Sequence, residues 1–169
     1  MNRVFVILMF AVLFIGCTEN VSKKDSNKEN EDYTQNVDGN VIVDNEIAKI
    51  NNSIVADSLN ADLYVQRANI SLANEQVGAA IKDINTALSI DRKNIEALLV
   101  LADIYYALGD EDNIMLTLNK ACEYAPLDPR PIVKLSELSF LQGNSQLANA
   151  YIDKALELDR FNPRAYFMR

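Results

Sequence analysis

The sequence contains no histidine and no tryptophan. Without imidazole, the commonest general base and the commonest metal ligand are both missing. Only two cysteines occur, Cys17 and Cys122. If the first is consumed by other chemistry, the second can form neither an intrachain disulfide nor a thiolate metal site. Basic residues are in the minority: 16 Lys and Arg stand against 24 Asp and Glu, for a formal net charge of −8. No stretch clusters Lys and Arg with interleaved aromatics, and release of counterions from a phosphate backbone requires such clusters, so nucleic acid is not expected as a partner. A catalytic nucleophile needs a base and an orienting group. The carboxylates here are spread as solvating charge, so no enzyme activity, cofactor or metal is expected of these residues.

The apolar content is uneven. Residues 1–17 read MNRVFVILMFAVLFIGC, with Arg3 as a short positive region and Val4 to Ile15 as an unbroken apolar run. A run of this length suits the core of a signal peptide and is too short to span a bilayer. Phe14-Ile15-Gly16-Cys17 resembles the lipobox of bacterial lipoproteins, although that family usually has Leu where Phe14 stands. The resemblance implies a signal peptide over 1–16, cleavage before Cys17 and a lipid on its thiol. An ordinary secretory signal or a short membrane anchor is the alternative. Loss of Arg3 with the signal takes the net charge from −8 to about −9. Stable anchoring needs two or more acyl chains at roughly 0.8 kcal/mol per buried methylene. Thr18 follows the cysteine where an Asp would favour inner-membrane retention, so the outer membrane is favoured if the cell has two membranes. Cys122, on a helix among small and apolar neighbours, reads as an inert buried thiol.

From Thr18 the chain turns polar, rich in Asn, Lys, Glu, Asp and Ser until Val41. Residues 17–43 are expected to be a lipidated cysteine and flexible tether, since so little apolar surface cannot offset chain entropy. About 25 residues of coil reach roughly 25–30 Å.

The remainder is periodic. Residues 61–94, 95–128 and 129–162 are three copies of one 34-residue unit, and residues 163–169 begin a fourth. Each unit reads as two amphipathic helices. Asn60, Asn94, Asp128 and Asn162 stand where an N-cap is needed before each unit. Pro129 and Pro163 follow at the first helical position, where the missing N–H costs nothing. Gly109 and Gly143 end the first helices as left-handed caps, and Asp110 and Asn144 cap the second. The eighth position is small (Ala68, Ala102, Ser136), as is the twenty-seventh (Ala87, Ala121, Ala155), while the twenty-fourth is large (Ile84, Leu118, Ile152). Small residues let helices approach closely while large ones fill the space between them.

This pattern resembles the tetratricopeptide repeat (TPR) family. Departures exist: Arg67 stands where the family prefers Leu, Ser71 and Ser139 replace a Tyr that only Tyr105 supplies, and Ile114 replaces a small residue. The resemblance implies an all-α fold, a right-handed solenoid of antiparallel helix pairs. Residues 44–60 align on a second-type helix and are expected to cap the first unit, since each unit alone leaves an apolar face bare. At the other end the fourth unit, 163–169, stops within two turns. Either the natural chain continues or it ends in a short helix.

The resemblance also implies function. In this family the first helices of successive units line a concave groove that binds partner proteins or peptides. The groove residues implied here are Asn69, Leu99, Asp103, Tyr106, Arg130, Val133, Lys134, Glu137 and Phe140. Leu99, Tyr106, Val133 and Phe140 are expected at exposed positions as apolar anchors; the alternative is that they pack between helices. Asn69, Arg130 and Lys134 fall on positions of a carboxylate clamp known in the family, but Val65 and Val100 occupy the other two, leaving it incomplete. The expectation is a lipid-anchored adaptor of the cell envelope that binds an unidentified protein or peptide. The alternative is a surface capture module for a small ligand or glycan, which the missing Trp disfavours.

Overall fold

The computed structural model describes residues 35–169; the expected signal peptide, Cys17 and the tether as far as residue 34 lie outside the described residues. Among the described residues there are eight α-helices and no strand. They are α1 (Gln35–Ala56), α2 (Ala61–Ala73), α3 (Val77–Ile90), α4 (Ile95–Leu108), α5 (Glu111–Tyr124), α6 (Pro129–Leu141), α7 (Ser145–Leu158) and α8 (Pro163–Met168). The all-α solenoid of helix pairs is the observed architecture: α2 with α3, α4 with α5 and α6 with α7 form pairs, and each pair packs on the next.

Local chemistry sets the boundaries. Asn60, Asn94, Asp128 and Asn162 hold extended backbone. Their side-chain oxygens accept from the backbone N–H of Asp62, Ala97, Arg130 and Ala165 at 3.2, 2.8, 2.9 and 3.0 Å. Each cap contributes about 1 kcal/mol. Asp110 and Asn144 cap α5 and α7 in the same way, accepting from Asn113 and Leu147. Gly109 and Gly143 have φ of +71° and +74°, the left-handed conformation that ends a helix without a Cβ penalty. The first unit lacks both devices. Glu75 occupies the glycine position at φ +59°, and Gln76 makes no side-chain cap to α3.

The core runs through the array in overlapping segments. Ala68, Ala80, Ile84 and Ala87 of the first unit share one apolar cluster with Ala97, Val100 and Ile104 of the second. Leu99, Ile114 and Leu118 of the second share another with Leu135 and Leu138 of the third. Ile132, Val133, Ile152 and Ala155 join Ala165 of α8 in a third. Every cluster crosses a unit boundary, so each unit buries its apolar face only by stacking on a neighbour. The small and large positions identified above are all buried.

The capping helix differs from expectation at both ends. α1 starts at Gln35, inside the segment expected to be flexible, and ends at Ala56, not at residue 60. Once a helix is nucleated against a neighbour, each further residue adds one backbone hydrogen bond at little entropic cost. At its end, Asn60 must adopt an extended conformation (φ −86°, ψ 101°) to cap α2, which forces a turn over residues 57–60.

Arg67, the departure in the first unit, has a specific partner. Its Nε and Nη2 donate to the two oxygens of buried Asp83 at 2.7 and 2.6 Å, and its Nη1 donates to Asn51 of α1 at 2.6 Å. The hydrogen bonds to Asp83 push the guanidinium above its ordinary pKa despite partial burial. The second unit has Leu101 and Thr117 at these positions. The first unit has an ion pair where the second has none, and the bond from Arg67 to Asn51 ties α1 to the first unit.

Candidate protein-binding groove

Some polar side chains of the first helices α2, α4 and α6 share one face. A cleft of about 340 Å³ opens there, lined by Asn69, Glu96, Asp103, Arg130, Lys134 and Arg164 around an apolar floor of Leu99, Val100 and Val133. A second cleft of about 230 Å³ adjoins it between α4 and α6, sharing Asp103, Lys134 and Arg164. A third of about 760 Å³ follows along α6 and α8, lined by Phe140, Leu141, Pro163, Phe167 and Met168. The three clefts share walls and form one continuous groove along the array.

Six of the nine residues expected in the groove line these clefts with side chains at least partly accessible: Asn69, Asp103, Tyr106, Arg130, Lys134 and Glu137. A seventh, Phe140, lines the third. Tyr106 and Phe140 are 60% and 63% exposed. Leu99 and Val133 require correction. They are only 5% and 3% exposed and belong to core clusters. Val65, at the same fifth position, is buried as well. This position faces the first helix of the following unit, so an apolar side chain there is consumed by stacking and serves as floor, not anchor. Phe167, the fifth position of the fourth unit, is 91% exposed, with no following helix among the described residues.

Arg164, Leu141 and Phe167 were missed. They occupy the second, thirteenth and fifth positions of their units, so the same positional rule applied to residues 141 and 163–169 would have found them.

Within the first unit Asn94 Nδ2 donates to Asp62 Oδ1 at 2.8 Å. The charges of the groove pair across unit boundaries: Arg130 Nη1 donates to Glu96 Oε2 at 2.7 Å. Lys134 donates to Asp103, and Arg164 Nε to Glu137. Arg130 is further held by Asp128, which accepts from its Nε and Nη2. That hydrogen bond, more than any other contact, raises the Arg130 pKa against partial burial, and Glu96 adds to it. For Asp128, burial pushes the carboxyl pKa up, but the hydrogen bonds and charge of Arg130 together outweigh it and hold the carboxyl below its ordinary value. Two cations on the positions of the incomplete clamp, Arg130 and Lys134, are thus already paired with carboxylates of the chain itself. Cys122 lies away from the groove, half-buried between two core clusters; burial raises its thiol pKa, Lys154 lowers it and Asp128 raises it again.

The tetratricopeptide repeat family matches residues 61–94 and 95–126, so the chain carries TPR units. The third unit, 129–162, repeats the same capped helix pair. No curated protein matches the sequence. Solved structures with the same fold include a MamA protein, at 20% identity and TM-score 0.59, covering 70% of this chain; this chain spans 64% of the MamA chain. A TPR protein from Thermus thermophilus is similar at 17% identity and TM-score 0.68, over 75% of this chain and 70% of its own. The first TPR of Spaghetti, solved bound to an HSP90 peptide, is similar at 18% identity and TM-score 0.58, over 66% of this chain and 88% of its own. At these identities the likeness concerns the fold. TPR units are protein-binding modules.

Proposed function

We propose that this chain is an adaptor that holds a segment of a partner protein in its concave groove while a lipid on Cys17 keeps it in the cell envelope. The observation that carries the groove reading is the pair of exposed aromatics, Tyr106 and Phe140, at equivalent positions of successive units beside a continuous cleft. Exposed aromatics next to a desolvated pocket are the residues on which binding energy concentrates. The Spaghetti TPR with its bound peptide is a precedent for such use of this fold. The anchoring reading rests on the sequence of residues 1–17 and on the polar segment that follows.

Two experiments test the two halves separately. Full-length chain used as bait will retain its partner, and the Tyr106→Ala/Phe140→Ala double variant will lose at least tenfold in affinity, about 1.4 kcal/mol. Equal retention by both would sink the groove reading. Cys17→Ala will move the protein from the membrane to the soluble fraction on fractionation of the native host. Unchanged membrane retention would count against lipidation and leave the groove reading intact.

A further inference from the structure

The groove is not uniform along its length. The first helices of units one and two, α2 and α4, pack directly on one another. Between α4 and α6, by contrast, a cleft of about 230 Å³ reaches down to Ile114 and Leu118 of α5, which are otherwise core residues. Tyr106 and Leu141 stand at its mouth, and both are exposed. Asp103, Lys134, Glu137 and Arg164 also line the cleft, and its volume leaves room for a phenyl or isobutyl group. An apolar group that enters leaves water and packs against the exposed side chains of Tyr106 and Leu141.

The rim adds a second requirement. Arg130 has all three guanidinium nitrogens engaged, and Lys134 is paired with Asp103. Arg164 differs. Its Nε donates to Glu137, while neither terminal nitrogen has a protein acceptor among the described residues, and its side chain is 65% exposed. It lines the cleft itself. A guanidinium with two free parallel donors matches a carboxylate in a two-pronged pair. The net charge of −8 opposes the approach of an acidic tract, so the complementary partner carries a single carboxylate at this spot.

Resting on the groove reading above, we infer that the α4–α6 cleft is a socket for one bulky apolar side chain of the partner, Phe or Leu, and that Arg164 pairs with an Asp or Glu carboxylate within a residue or two of it. The occupant is therefore a short apolar–acidic segment of another protein.

The test uses fluorescein-labelled Gly/Ser peptides carrying Phe next to Asp, Ala next to Asp, or Phe next to Lys, titrated against the full chain by anisotropy. The Phe–Asp peptide will bind, and either replacement will weaken it by about tenfold or more. Arg164→Gln will erase the preference for Asp over Lys and keep that for Phe over Ala. Leu141→Trp, which roofs the socket from an exposed position, will erase the preference for Phe over Ala. Binding of no peptide up to about 1 mM, or preferences untouched by both variants, overturns the inference. Self-association of the chain that both variants abolish also overturns it, because a second copy would then be the occupant. If these variants retain the natural partner while Tyr106→Ala/Phe140→Ala loses it, the groove stands and the socket falls. If the aromatic double variant also retains it, the groove reading itself has failed.

Discussion

At the fifteenth residue of each unit the chain must leave its first helix and turn into the second. Gly109 and Gly143 do this in the left-handed region without strain, but Glu75 does it at φ +59° with a Cβ in the way. A non-glycine residue there costs roughly 1–2 kcal/mol. Glu75→Gly recovers part of this and gives part back as chain entropy in the unfolded state. We expect a net gain of about 0.5–1 kcal/mol in urea unfolding; a loss would show that the Glu75 side chain contributes something beyond its backbone. The caps were legible residue by residue, because Asn, Asp, Pro and Gly act on backbone groups within three residues of themselves. The left-handed glutamate was not, since Glu75 carries no local signal for that conformation and only its alignment with Gly109 and Gly143 points to it.

At the scale of elements, the join between α1 and the first unit depends on Arg67. With one partner removed, Asp83 remains buried, at 6% exposure, without its cation. Breaking such a pair costs about 3 kcal/mol. Arg67→Ala is therefore expected to destabilise by about that much, with loss of helical signal from α1. The double variant Arg67→Leu/Asp83→Thr, which installs the pair found in unit two, is expected to come within about 1 kcal/mol of the native chain. A double variant as unstable as the single one would mean that the bond to Asn51, and not the ion pair, holds α1 in place. The sequence showed that Arg67 was out of pattern. It did not show Asp83 as the reason, because the two residues lie on different helices and nothing local connects them. For the same reason the start of α1 was misplaced: composition describes an isolated segment, whereas docking on α2 nucleates a helix that then extends.

At the scale of the whole molecule, stability comes from apolar clusters that cross each unit boundary, and the ladder of ion pairs along the groove adds little. Arg130, Glu96 and Asp103 are about half exposed in their side chains and Arg164 more so, and exposed pairs contribute about 0–1 kcal/mol each. Combined Glu96→Gln, Asp103→Asn and Glu137→Gln is expected to cost less than about 2 kcal/mol, whereas Ile84→Ala or Ile152→Ala alone is expected to cost about 2–5 kcal/mol. Thermal unfolding of the four proteins decides between them: a larger loss from the charge variants would make the ladder structural. The ladder's role is then to set the chemistry of the groove, by engaging all three guanidinium nitrogens of Arg130 and leaving the two terminal nitrogens of Arg164 without a protein acceptor among the described residues. By itself the sequence determined the repeat length, the caps, the small and large packing positions and hence the solenoid, because each of these is written in local backbone chemistry or in strict periodicity. Only the tertiary structure decided which groove positions face outward, burying Leu99 and Val133 and exposing Tyr106 and Phe140. The physical reason is that a side chain's exposure depends on how closely the next unit stacks, and that distance is set by contacts 30 or more residues away.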